Sequence, residues 1–286
     1  MVFTIKTQGG SLIVQFIKSE KMKINKIINL FMASLVLILV ACEPNVDEQH
    51  LTNTTDVAGV ELVATQSTEG GNEITLNMVT PGITGYWDYG LGKALTDKFT
   101  FIYPIPGTAT FTYTGTLGGE FFTKTIDVQV DQLDHALDQD WYDLVGTDTA
   151  AGKTWVFDGG PDPDGRQWWF MSAPGGTDNA WSLWWNAGGD CCPPSDAAGK
   201  MHFDLDGAAN YTHYADASSS TSESGSFVLD VANQKLIVSG AKLLGSDAGN
   251  ADGVYSIVSL TEDKMVLYLS NSETYGTGWT FVFVPE

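Results

Sequence analysis

Positive charge is scarce in this sequence. Its 286 residues carry 14 Lys+Arg against 35 Asp+Glu, a formal net charge of −21. Residues 1–41 hold five of the basic residues and one of the acidic ones, so residues 42–286 carry a formal −25. Such a surface repels phosphate backbones, which excludes nucleic acid as a partner, and it disfavours acidic polysaccharides. Neutral ligands and cations remain. Histidine is scarce too, with four in the chain. His202 and His213 stand in no His-Glu-x-x-His or Cys/His spacing, so they read as surface or core histidines rather than zinc ligands. No Gly-x-Ser-x-Gly elbow, phosphate loop or dinucleotide fingerprint occurs. Long helical periodicity is missing as well.

Glycine and aromatic residues fill that gap: 31 Gly, 9 Trp, 10 Tyr and 14 Phe. This is the composition of an all-β protein with many turns. Strand-like runs rich in Thr, Phe, Tyr and Val fall at 60–65, 73–78, 99–103, 108–113 and 121–130, separated by Gly or Pro clusters. In Asp131–Trp141, Leu133, Ala136, Leu137 and Trp141 recur at helical spacing, so a linker helix is expected there. About ten more short strands follow between residues 153 and 284, which indicates a sandwich or barrel. In Met265–Leu269 nearly every position is apolar, as in a strand covered on both faces. Connections are long at 171–199 and 243–253, and long loops on a rigid β scaffold are where function usually sits.

The N-terminal segment has its own logic. Lys23 and Lys26 precede an apolar run from Ile27 to Val40, and Leu39-Val40-Ala41-Cys42 follows as a small-residue box ending in cysteine. Fourteen residues are too few for a membrane-spanning helix, which needs about 20, and suit an export signal. Residues 22–42 therefore read as a bacterial lipoprotein signal, with Met22 as the expected start and residues 1–21 as an upstream extension. The resemblance to bacterial lipoproteins implies a multiply acylated Cys42, because one acyl chain anchors only marginally. Residues 42–57 form an acidic tether, and the acids after Cys42 resemble the surface-export signals of Bacteroidota lipoproteins. The expected location is the outer membrane, lipid-anchored and facing outward.

Two further resemblances follow. Gly85-Tyr86-Trp87-Asp88-Tyr89-Gly90-Leu91-Gly92, Tyr103-Pro104-Ile105-Pro106-Gly107 and Thr125-Ile126-Asp127-Val128 fall in the order of PKD domains. Residues 58–130 thus resemble that immunoglobulin-like sandwich, commonly a spacer or adhesion module. Leu91 departs from the family's Asp. Trp87 reads as the core plug, and Asp88 as an acceptor for nearby backbone amides. Residues 142–286 resemble the C-terminal domain of Bacteroidota surface lipoproteins from polysaccharide-utilisation loci. The carrying strings are Lys153-Thr154-Trp155-Val156-Phe157-Asp158, Gly199–Gly207 and Tyr255–Leu267, the last also similar to the closing hairpin of lipocalin-like domains. This implies an antiparallel β barrel or jelly-roll sandwich that binds glycans beside an outer-membrane importer.

Eight of the nine tryptophans lie in residues 141–286, five of them close together: Trp168, Trp169, Trp181, Trp184 and Trp185. Indole planes stack on the C–H faces of sugars and keep a polar handle. Adjacent strand residues point to opposite faces, so about half of the five belong to the core. Trp181, Trp184 and Trp185 are the expected platform, flanked by Asn186, Asp190 and the Cys191-Cys192 pair. In an oxidising compartment that pair forms either a vicinal disulfide or two free thiols. Asp158, Asp162 and Asp164 stand in a Gly-rich turn, either as oxygen ligands for Ca²⁺ or as an ordinary Asp-Pro-Gly hairpin turn. The functional expectation is capture of a neutral polysaccharide without catalysis. The alternatives are a glycan hydrolase or lyase, which needs only two suitably spaced carboxylates, and a structural or lipocalin-like carrier protein.

Overall fold

In a computed structural model of the chain, the described residues are 59–117, 120–188 and 191–286. Cys42, the signal segment and Asp190 lie outside them. The described part is all-β, with one short helix and two 3-10 turns.

The first half is a two-sheet sandwich. One sheet has the order β1 (Leu62–Gln66), β2 (Glu73–Met78), β5 (Lys98–Ile102); the other has β4 (Lys93–Ala94), β3 (Thr84–Asp88), β6 (Gly107–Leu117), β7 (Glu120–Val130). Alternation sets the inner faces: Ile74, Leu76 and Met78 from β2 meet Ala109, Phe111 and Tyr113 from β6. Trp87 is fully buried between them, edge-on to Tyr113 at 5.2 Å, and its indole N–H donates to the Asp97 carbonyl at 3.1 Å. The Asp88 carboxylate accepts the Gly90 amide at 3.1 Å, and Gly90 takes the left-handed φ of +81° that the turn requires.

The linker differs from the helix expected over Asp131–Trp141. Residues 131–138 are irregular, and helix α1 spans Gln139–Val145. The backbone of 131–138 is satisfied by the sandwich rather than by itself. The Gly70 carbonyl accepts the amides of Asp131 and Gln132, and the Asn72 side chain both donates to the His135 carbonyl and accepts its amide. Tertiary partners thus override a helical spacing whose apolar members, Leu137 and Trp141, are buried all the same.

The second half is a closed barrel. Its eight strands are β8 (Lys153–Phe157), β11 (Lys200–Asp204), β12 (Asn210–Tyr214), β13 (Ser222–Asp230), β14 (Lys235–Ser239), β15 (Val254–Thr261), β16 (Lys264–Leu269) and β17 (Gly278–Pro285). Each pairs antiparallel with the next, and β17 returns to β8 through Phe283↔Phe157 and Val284↔Val156. Strand order therefore follows chain order, an up-and-down meander rather than a jelly roll. Eight strands leave an interior that side chains can fill. Trp155, Phe203, Tyr211, Phe227, Phe281 and Phe283 fill it here.

One hairpin stands outside the ring. Strands β9 (Trp169–Ser172) and β10 (Leu183–Trp185) extend the sheet from β17, whose first half, Gly278–Phe281, pairs with β9 while its last residues pair with β8. The segment 168–182 lies over β16 and β17. The Tyr268 hydroxyl donates to the Ala173 carbonyl, and the Thr280 hydroxyl to the Ala180 carbonyl, both at 2.6 Å. That cover explains why β16 is buried on both faces.

Candidate functional site

Strand β10 is the outermost strand of its sheet, and nothing described lies over it. Leu183 pairs with Ser172 and Trp185 with Met171, so a bulge falls between them at Trp184. A bulge re-aims side chains at a sheet edge. The result is that Trp184 is 57% exposed, Trp185 40% and Trp181 36%, with Leu183 exposed beside them. The simple alternation rule, which assigns one of each adjacent pair to the core, fails here because a three-residue edge strand has solvent on both sides.

Trp168 and Trp169 go the other way. Both are buried, at 6% and 3% exposure, so neither is available as a stacking platform. Trp168 packs on Phe157 at 4.6 Å, and Trp169 on Trp279 at 4.3 Å. Trp169 begins β9 and Trp168 directly precedes it, where the chain packs against β8 and β17. Tyr275, distant in sequence, joins the surface: it is exposed and packs on Trp279 at 4.9 Å, with Trp185 edge-on to the same ring at 6.3 Å.

Asn186 is committed to structure. Its side-chain oxygen accepts the Gln167 amide at 3.0 Å, and its nitrogen donates to the Gly165 carbonyl at 3.1 Å. Cys191 and Cys192 are bonded to each other as a vicinal disulfide, and the Cys192 amide donates to the Ala187 carbonyl.

The three aspartates do not converge on a common point. Asp158 pairs with Lys264 at 3.2 Å. One oxygen of Asp162 accepts the amides of Asp164 and Arg166, closing an Asx turn, and the other lies 3.0 Å from the Arg166 Nε. Asp164 accepts from the Arg166 guanidinium at 2.6 Å. The carboxylates proposed as calcium ligands thus have cationic partners from the chain itself, and no cluster of three or more metal-binding side chains forms among the described residues. Arg166 in turn lies over the Trp181 ring, 5.0 Å from its centroid, with Phe170 at 6.2 Å from the same ring.

Trp181 forms one wall of a groove of about 880 Å³. Asn233, Gln234 and Lys235 line it as well, together with Asp178, Ser256 and Ser270. One aromatic plane together with amides, hydroxyls and a carboxylate matches the two kinds of surface a sugar presents. A volume of this size falls in the usual range for ligand clefts. Residues 233–235 carry no sequence signal of their own; a polar hairpin turn looks the same whether or not it shares a groove with a tryptophan.

A second cleft, about 810 Å³, is lined by Glu223, Asp247, Asp252 and Glu273 together with Lys242 and Tyr255. Asp247 is already engaged by the amide and hydroxyl of Ser195. Burial pushes the Tyr255 hydroxyl up to about 12.

No protein-family model matches the chain, and no curated protein matches it.

Proposed function

We propose that this protein is a lipid-anchored, cell-surface binder of a neutral polysaccharide, holding the glycan for an outer-membrane importer of the Bacteroidota kind. The observation that carries the reading is the exposure of Trp181, Trp184 and Trp185 within five residues of the chain, with Trp181 lining a groove that is otherwise largely polar. Exposed aromatic surface of this kind marks an interaction site. The acidic surface suits an uncharged ligand. Cys42 and the acidic tether supply the anchor. The sandwich serves as the spacer, and its strand orders β1-β2-β5 and β4-β3-β6-β7, with the Trp87 plug, support a PKD-like identity.

Affinity electrophoresis of the full chain through gels containing neutral glucan, mannan or xylan tests the reading. Retardation by at least one glycan is expected, with Trp184→Ala and Trp185→Ala each weakening it about tenfold or more, the scale of an aromatic hot spot. No retardation in any of these gels overturns it. Cys42→Ser is expected to move the protein from the membrane fraction to the soluble one.

The acidic cleft favours a second reading, a glycan hydrolase using two of its four carboxylates. Release of reducing ends from the retained glycan, lost in Glu223→Gln, is the outcome that would select it. The carrier alternative has less to stand on, because the barrel interior is occupied by side chains.

A further inference from the structure

The flap groove does not end at the barrel. Asn233 and Gln234 line it, and the two residues before them, Val231 and Ala232, line a different cavity. That cavity, about 340 Å³, is a crevice between sandwich and barrel. Its sandwich wall includes Tyr89, Phe101 and Pro104; its floor includes Trp141 of α1; its barrel wall runs from Leu229 to Ala232. Residues 231–234 are consecutive, so one hairpin turn contributes lining to both spaces.

We propose that the bound ligand is a long chain that crosses this turn, with one segment on Trp181 in the flap groove and the next in the sandwich–barrel crevice. The first domain is then half of a binding site as well as a spacer. This rests on the glycan-binding reading above and adds to it a second subsite, which only a chain long enough to cross the turn fills together with the first.

Three observations carry it. The crevice has the same mixed chemistry as the groove: Tyr89 and Phe101 pack with ring centroids 5.0 Å apart, and Asp138 and Asp230 lie among them. Tyr89 and Phe101 bring apolar surface to the crevice, Phe101 being stacked on Phe99 at 4.8 Å behind it, and the Asp138 carboxylate can accept from hydroxyls. Second, the turn between them is held stiff. The Asp230 carboxylate accepts both the backbone amide of Asn233, at 3.0 Å, and its side-chain nitrogen, at 2.8 Å, while the Gln234 carbonyl accepts the Ile257 amide at 2.8 Å. Third, Gln234 sits at φ +53°, a left-handed conformation that a non-glycine residue rarely adopts. Such strain costs on the order of 1–3 kcal/mol and persists where a ligand clamp needs it. The Gln234 side chain is exposed and lines the flap groove.

Calorimetry with the full chain decides the matter, using whichever of the neutral glucan, mannan or xylan retards it, together with size-graded fragments of that polymer. Tyr89→Ala and Phe101→Ala are expected to weaken polymer binding about tenfold and leave the shortest bound fragment unaffected. Trp181→Ala is expected to weaken both. Tyr89→Phe, which keeps the ring, is expected to bind the polymer like the wild type. A variant whose sandwich merely unfolds shows it in its near-UV circular dichroism, whereas loss of polymer binding with an unchanged spectrum is the result expected, so the two causes separate. If Tyr89→Ala and Phe101→Ala bind the polymer as tightly as the wild type while Trp181→Ala does not, the crevice proposal fails and the glycan-binding reading stands. If the wild type binds none of the polymers, both fail.

Discussion

The guanidinium of Arg166 sits 5.0 Å above the ring of Trp181, and Asp162 and Asp164 hold it there from the other side. In the Asp-Gly-Pro turn at 158–165, Asp162 and Asp164 both pair with the guanidinium that lies over Trp181.

That pairing sets the pose of the platform. Replacing Arg166 with Ala removes the pair and frees the indole to rotate. A loss of roughly 0.5–2 kcal/mol in glycan affinity is expected. Asp162→Asn should show part of the same loss, with a shift in tryptophan fluorescence accompanying both. Unchanged affinity and fluorescence in Arg166→Ala would show that Trp181 needs no positioning.

Two fully buried tryptophans differ in one hydrogen bond. The Trp155 indole N–H donates to the Leu144 carbonyl at 2.9 Å, whereas the Trp279 N–H has no partner. Substitution by Phe removes a satisfied donor in the first case and orphans the carbonyl. In the second it removes an unsatisfied donor. Trp155→Phe is therefore expected to cost about 1–3 kcal/mol more than Trp279→Phe in denaturant unfolding. Equal losses would mean that volume alone governs both sites.

The buried tyrosines give the protein an alkaline limit. Burial raises Tyr211 well above its ordinary value and Tyr255 to about 12; burial and then the Asp97 carboxylate raise Tyr113. A folded pKa above the unfolded one means that the fold favours the protonated hydroxyl. The resulting stability is complete below about pH 10 and is lost as pH rises from there through the folded values. For Tyr255 the loss approaches roughly 3 kcal/mol, at about 1.36 kcal/mol per pKa unit. Tyrosinate absorbance should appear together with unfolding, and Tyr255→Phe should move the midpoint to higher pH.

Gly253 and Gly276 offer a matched pair. Both have left-handed φ, +63° and +66°. A Cβ at Gly253 would lie 2.0 Å from the Val238 carbonyl oxygen, in the backbone pairing of β14, whereas a Cβ at Gly276 meets nothing within 4 Å. Gly276→Ala should cost on the order of 1 kcal/mol, the conformational term alone. Gly253→Ala should cost several times more, read as a drop in Tm.

Much of this molecule was legible without coordinates. Period-two alternation in Glu73–Met78 and Met201–Leu205 identifies half-buried strands because a pleated backbone sends neighbours to opposite faces. The burial of Trp87 was expected from the resemblance of residues 85–92 to the PKD motif, and it is fully buried. The flap tryptophans were legible as candidates, yet alternation misjudged two of them. Trp168 and Trp169 are both covered because the strand they begin is sandwiched by later parts of the chain. The Leu133–Trp141 spacing is truly helical, but Gly70 and Asn72, some sixty residues earlier, take the hydrogen bonds that a helix would have used.

Local properties, then, were settled by the residues themselves: the all-β class, the acidic composition, and the concentration of tryptophan in the second half. Each depends on composition or on neighbours within a few positions, where sterics and hydrophobicity act directly. Three other properties exist only in the folded chain. The barrel closes because β17 returns to β8 across more than a hundred residues. Trp181 and Asn233–Lys235 line one groove although about fifty residues separate them in the chain. The crevice exists because the Tyr89–Phe101 face docks beside the β13–β14 turn. These are long-range packing events, decided by which apolar faces can be buried together.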